Sequence, residues 1–305
     1  MQAVNNEFEN NVSLAMETII EKRPMLEPII RSFAAILQKQ SRIAQELEAA
    51  PAYPEINPGR LLQGIPLLAG VPLDVLSEQL NRSFLANLTV LKTTFSNFAA
   101  DFSSLEALQK QGKLDLSHLS RAYLDGEIAV IRSAVEATKV SEGMLALVLD
   151  CTLSTVLKAL RPSLARNVND MQWYRGYCPM CGSMPSISYL AEAGDLGSEF
   201  LRGGGGQRYL HCSLCGHDWR FLRGKCPACE TEDKDLQLYF QLDKEPSERV
   251  DVCRNCKAYL PCIDLRESMH RLPMDIAAVG LVHLDAWASE KGYHPLAQTP
   301  WNLVQ

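Results

Sequence analysis

The sequence predicts an α+β protein, with an N-terminal α-helical domain over residues 1–170 and a C-terminal domain over residues 171–305 carrying two tandem four-cysteine metal units and a terminal helix. Three observations predict it. Apolar residues recur at three- and four-residue steps through the first half. Nine of the ten cysteines lie between Cys178 and Cys262. From about residue 170, glycine, cysteine and aromatic residues interrupt short extended runs.

The helical half is read first. Between Met25 and Leu47, Leu26, Ile29, Ile30, Phe33, Ile36, Leu37, Ile43, Ala44 and Leu47 stack on one helix face, which other helices must cover. The stretch PAYPEINPGR (51–60) and the following IPLLAGVPLD break the pattern. A long helix is predicted from about Leu73 to Gln109, and others from His118 to Lys139 and Glu142 to Leu160, with Pro162 as a stop or kink. The sum is a bundle of about five to seven helices. In the second half, SISYL, RYLHC, LQLYFQL and RVDVC read as strands, and PMDIAAVGLVHLDAWASEKGY reads as a helix with Pro273 in its first turn and Gly292 near its cap.

Composition narrows the function. Thirty Lys and Arg against 36 Asp and Glu give a formal charge of −6, which disfavours broad binding to nucleic acid or anionic lipid. The first residues lack a basic head followed by an apolar run, and no unbroken apolar run is long enough to span a membrane, so a cytoplasmic protein without membrane insertion is expected. Cytosolic thiols stay reduced, which favours metal over disulfides. Cys151, alone in LALVLDCTLSTVL, is a small core residue.

Four CxxC pairs occur: Cys178 and Cys181, Cys212 and Cys215, Cys226 and Cys229, Cys253 and Cys256. Each offers two thiolates from one tight turn, and two turns complete the tetrahedral shell that zinc or a single iron takes. The intervals between pairs are 30, 10 and 23 residues, so the first and second pairs, and the third and fourth, can each bracket a hairpin; this local pairing costs less loop closure than a cross-braced arrangement, which is the alternative. An internal repeat favours the local pairing. CPMCGSMPSISYL leading to YLHCSLCGHDW is echoed by CPACETEDKDLQLYF leading to VDVCRNCKAYL, which reads as two rubredoxin-like or zinc-ribbon-like units. Glycine follows Cys181 and Cys215, whereas Glu230 and Lys257 follow the other pairs, so the second site is expected to be looser.

Other residues have smaller claims. Arg208, Arg220, Arg223 and Lys225 can offset thiolate charge or, as an alternative, meet a nucleic acid. With eight cysteines available, His211 and His217 are surplus to ligation and are expected to pack or hydrogen-bond near the sulfurs. Cys262 reads as a spare buried thiol, and Gly203 to Gly206 as a hairpin tip rather than a phosphate loop. The sequence has no nucleophile elbow, HExxH helix or dinucleotide fingerprint, and no small-molecule substrate or catalytic residue is expected.

YCPMCGSMP, RYLHCSLCGHDW, RGKCPACE and CRNCKAYL, followed by LDAWASEKGY, together resemble the FdhE family of formate dehydrogenase accessory proteins over roughly residues 174–293. The N-terminal half is similar only in its helical character. The resemblance implies a non-enzymatic cytoplasmic factor that contacts a formate dehydrogenase catalytic subunit during maturation and holds two metal ions, with iron the metal associated with the family. It assigns Cys178, Cys181, Cys212 and Cys215 to one centre and Cys226, Cys229, Cys253 and Cys256 to the other. It also makes Trp219, Arg223 and Tyr259 candidates for client contact or for packing around the centres. Lys257 stands where the family has glycine. From the residues alone, a rubredoxin-like electron carrier or redox sensor and, less favoured by charge, a zinc-ribbon nucleic-acid binder stay open.

Overall fold

The computed structural model describes residues 2–47, 58–168, 173–191, 206–243, 245–266 and 272–302. Most of the predicted break at 51–60, most of the glycine run at 203–206 and the boundary near residue 170 lie outside them.

Eight α-helices precede the strands among the described residues: α1 (Gln2–Lys22), α2 (Glu27–Glu46), α3 (Pro58–Leu62), α4 (Ser77–Thr94), α5 (Ala99–Lys110), α6 (Leu116–Asp125), α7 (Ile128–Thr138) and α8 (Glu142–Ala165). The sequence pattern does not single out α1, and the predicted helices at 73–109 and 118–139 are each divided. The first is interrupted at Phe95 and a 3-10 turn (Ser96–Phe98); the second ends where Gly126 takes a left-handed φ of 69°. The apolar spacing continues through both breaks in the sequence, although Phe98 and Ile128 beside them are exposed, so periodicity alone runs through them.

Helix α8 lies at the centre, packed against α2, α4, α6 and α7. Residues Cys151 to Leu157 are all buried, so every side of this stretch is covered. Its two threonines are satisfied locally. Thr152 and Thr155 donate to the carbonyls of Val148 and Cys151, at 2.6 and 2.7 Å, and Ser83 and Asn87 of α4 bond to the same turns. By length and composition α8 could cross a membrane, but 67% of its most apolar window is buried inside the protein. Pro162 does not end it. The flanking Leu160 and Leu164 are buried, and Lys158 and Arg161 are anchored to other elements, which offsets the missing backbone donor.

Among the described residues seven strands follow: β1 (Pro185–Ala191), β2 (Gln207–Cys212), β3 (Asp218–Phe221), β4 (Gln237–Leu242), β5 (Glu245–Cys253), β6 (Ala258–Asp264) and β7 (His294–Pro295). The first three and the next three each form an antiparallel unit. These join through parallel pairing of β1 with β6 into one sheet of order β3-β2-β1-β6-β5-β4, with β7 on β6. The repeats are thus joined head to tail, the first strand of one unit against the third strand of the other. Two helices stand where one is predicted, α9 (Met274–Gly280) and α10 (Val282–Glu290), and Pro273 caps the first rather than entering it. Both α1 and α2 pack on α9, where Gly280 leaves room for Ile19: an added Cβ would lie 2.8 Å from Ile19 Cδ1.

Candidate metal centres

Each CxxC pair occupies a tight turn beside a strand. In three of them the amide of the first cysteine donates to a carbonyl five residues on, from Cys178 to Ser183 (2.9 Å), Cys212 to His217 (3.0 Å) and Cys226 to Thr231 (3.0 Å). Closing such a turn puts the residue after the second cysteine in the left-handed region. All four do so: Gly182 at 85°, Gly216 at 65°, Glu230 at 58° and Lys257 at 62°. The non-glycine residues therefore form the same turn at a conformational cost of roughly 1 kcal/mol each.

The sheet brings the turns together in the local pairing. Sγ of Cys178 lies 3.5 Å from Cys215 and Cys181 3.4 Å from Cys212; Cys226 lies 3.8 Å from Cys256 and Cys229 3.7 Å from Cys253. Within each group the four sulfurs lie within 4.8 Å of one another, so each can hold a metal ion. These separations exceed a disulfide bond and match the ~3.8 Å edge of a tetrahedron with metal–sulfur bonds of about 2.3 Å. Four thiols are thus placed as a tetrahedral site requires.

In each group the environment lowers one thiol. Burial opposes ionisation of Cys181, but bonds from Cys178, Cys212 and Cys215 outweigh it and hold that thiol well below the usual range. Burial likewise opposes ionisation of Cys229, while Asn255 and the Thr231 amide bring it down to about 7. Burial drives Cys178 and Cys226 upward. A thiolate in each cluster favours uptake of a cation.

The first cluster is docked on the helical region. Amides of Leu67 and Leu68 donate to Pro179 and Met180 (both 2.9 Å), the Tyr177 hydroxyl donates to Gly64 (2.7 Å), and Arg161 of α8 donates to Gly216 (2.6 Å). Its four cysteines are buried, whereas Cys229 and Cys256 of the second cluster are only half-buried. The two units touch where Gly176 lies against Pro227, so closely that a Cβ there would come 1.9 Å from the Pro227 carbonyl oxygen.

His211 and His217 stand beside the first cluster without joining it. Burial disfavours charge on His211, but Asp218 (2.7 Å) and Asp275 (3.4 Å) outweigh it and raise the ring to about 9. Lys158 of α8 meets the same Asp275 at 3.1 Å, so an ion-pair chain runs from the central helix to the metal turn, a link the sequence alone does not reveal. Burial and the nearby Arg161 hold His217 down to about 4 against the pull of Asp218, so the ring stays neutral. Trp219 is buried and donates to the Arg175 carbonyl at 3.1 Å. Tyr259 is 1% exposed, leaving Arg223 as the one of the five flanking candidates that reaches solvent. Cys151 and Cys262 are buried outside both clusters, and burial raises both thiols, Cys262 to about 11.

The basic stretch is not a continuous exposed surface. Arg208 is buried on Asp251, at 3.0 Å, and Lys225 is paired with Glu230 at 3.1 Å. That arrangement disfavours reading it as a nucleic-acid face.

Comparisons with known proteins agree with this architecture. The family profile described as FdhE, central domain, matches residues 177–223, which span the first metal unit. The chain is 30% identical to the FdhE homolog of Pectobacterium carotovorum subsp. carotovorum over 236 residues, covering 75% of this chain and 69% of that protein. It is also 30% identical to the FdhE homolog of Aquifex aeolicus over 183 residues, spanning 60% of that relative's length. The crystal structure of the FdhE protein from Pseudomonas aeruginosa has the same fold, with a TM-score of 0.66 at 21% identity over 97% of this chain and 95% of that one. On the sequence relationship and the shared fold, the chain belongs to the FdhE family.

Proposed function

We propose that this protein is a non-enzymatic assembly factor for formate dehydrogenase, which holds the catalytic subunit in the cytoplasm during maturation. The observation that carries the reading is the pair of four-cysteine clusters in a chain of the FdhE family, one built onto the helical body and the other half-exposed beside it. Residues 1–170 would form a helical domain and residues 171–305 the double metal domain. Cys178, Cys181, Cys212 and Cys215 would hold one ion, and Cys226, Cys229, Cys253 and Cys256 the other. Iron in such a shell exchanges one electron, whereas zinc does not, and serves as a structural tie.

This chain's residues do the positioning. The helical body fixes the first unit through Leu67, Leu68 and Arg161, and that unit, through Gly176 against Pro227, sets the second. Arg223 is the exposed candidate for client contact. Deleting the gene is expected to abolish formate dehydrogenase activity and leave the catalytic subunit immature; undiminished activity in the deletion strain refutes the reading. The half-exposed second cluster favours a redox-sensing role alongside assembly. Protein purified without oxygen would then contain close to two irons per chain and titrate reversibly by one electron per site, whereas colourless protein holding two zincs would exclude sensing.

A further inference from the structure

We propose that the cavity between the two metal units binds an organic oxyanion, a carboxylate or phosphate carried on a compact apolar stem. This inference is independent of the assembly role.

The cavity lies on one face of the sheet, opens to solvent on one side and has a volume of about 210 Å³. The segment 223–227 roofs it, tied down on one side by Arg208 Nη1 donating to the Lys225 carbonyl (3.3 Å) and on the other by Gln237 Nε2 donating to Gly224 (2.6 Å). A closed apolar cavity of about 150 Å³ admits benzene, so a ring with one charged substituent fits the space here. Leu190, Leu260 and Leu296 supply apolar wall, and Tyr239, held under the Arg249 guanidinium at 5.1 Å, forms an edge.

The polar part of the lining has one sign in excess. Arg208, Arg223, Lys225 and Arg249 line the cavity against the single carboxylate of Asp251. Asp251 is shared: Arg208 Nη2 takes one oxygen at 3.0 Å and Arg249 Nε faces the other at 3.0 Å, outside hydrogen-bond geometry. Arg208 is 6% exposed, and its Nε has no hydrogen-bond partner. A buried guanidinium held by one carboxylate oxygen and one carbonyl carries charge that an anion in the cavity would offset. Lys225 is already paired with Glu230 at 3.1 Å, and the four-thiolate centre that Cys226 and Cys253 belong to, with a net charge of about −2, offsets part of the rest, which leaves Arg208 and Arg249, sharing the one carboxylate of Asp251, as the cations open to an anion. Two guanidinium groups converging on an apolar-walled space match an oxyanion in both charge and geometry.

Calorimetric titration of the full, metal-loaded chain tests the site. The probes are benzoate, phenyl phosphate, inorganic phosphate, the neutral benzyl alcohol, and a short peptide ending in phenylalanine with either a free or an amidated carboxyl terminus. Saturable binding of benzoate or phenyl phosphate, with benzyl alcohol and inorganic phosphate at least about tenfold weaker, is the expected result. Binding of the free acids without the peptide would identify a small organic acid as the ligand; binding of the free-carboxyl peptide but not its amide would identify a polypeptide terminus. Arg249→Gln should weaken binding about tenfold or more, and Asp251→Asn should strengthen it, with metal content unchanged. Absence of saturable binding by any anionic probe at millimolar concentration overturns the site, as does binding that neither substitution alters. Loss of metal from Arg249→Gln in a protein whose parent binds no anion would likewise overturn it and assign the cations to the thiolates.

Discussion

The two four-cysteine clusters come from one repeated pattern and share one turn geometry, yet they differ in their surroundings. The first has glycine at both left-handed positions, four buried cysteines, and backbone bonds to the helical region at Leu67 and Leu68. The second has Glu230 and Lys257 at the equivalent positions and two half-buried cysteines. A motif can therefore repeat its local geometry while tertiary contacts set how firmly each copy is held. The first cluster is a structural junction, and the second is the more exposed.

Ligand removal should give the largest effect. Cys178→Ser and Cys226→Ser are each expected to lose one of two metal equivalents by elemental analysis, but only Cys178→Ser should destabilise the helical region, on the order of 5 kcal/mol, read by far-UV circular dichroism in denaturant. Equal destabilisation by both would break the contrast. Cys151→Ser should leave metal content unchanged.

A pH titration sharpens the comparison through the acids packed under the sheet. Asp275, near the first unit, is held well below the usual carboxylate range by Lys158 and His211 despite its burial, so it stays charged at neutral pH. Asp285 of α10, which packs against β5 and β6 of the second unit, is 2% exposed, and burial raises it to about 7. Its folded pKa lies above the unfolded value, so the native state binds more protons and stability falls as pH rises from about 4 through about 7. Asp285→Asn should remove that fall and stabilise the protein by about 4 kcal/mol above pH 7, measured by denaturant unfolding across pH. A variant with the parent's pH profile would refute the assignment.

The docking itself gives a smaller effect. Arg161→Ala removes the 2.6 Å bond to the Gly216 carbonyl and should cost about 1.5–3 kcal/mol, with faster loss of the first metal to a chelator and no change at the second. The turn residues give the smallest. Lys257→Gly should stabilise the second centre by up to about 1 kcal/mol, whereas Gly182→Ala, at a φ of 85° with Pro66 Cγ 3.3 Å from an added Cβ, should weaken the first by about as much. Equal metal-release rates for Lys257→Gly and the parent would show that turn strain does not set the difference.

Much of this was legible because it is local. CxxC spacing places two thiols in one turn whatever surrounds it, and the repeat of CPxC, extended run and CxxC was enough to pair the turns. The period of α2, and the strands around SISYL, RYLHC, LQLYFQL and RVDVC, were readable for the same reason, since alternation and helical spacing record which face is covered. The divisions at Phe95 and Gly126 were not, because the apolar stripe runs through them. Strands β3 and β6 follow their CxxC turns at once, and β6 is buried along its whole length, so no alternation marks it.

Residue identity and short-range spacing alone specify the two four-cysteine clusters, the order of helical and cysteine-rich parts, and the acidic balance. The rest comes from contacts between distant parts of the chain. The parallel pairing of β1 with β6, the docking of Gly64 to Leu68 and Arg161 on the first centre, the exposure of the second, and the convergence of Arg208 and Arg249 on one cavity join residues far apart in the chain. Such contacts follow from how finished units pack against one another, and no local pattern records that outcome.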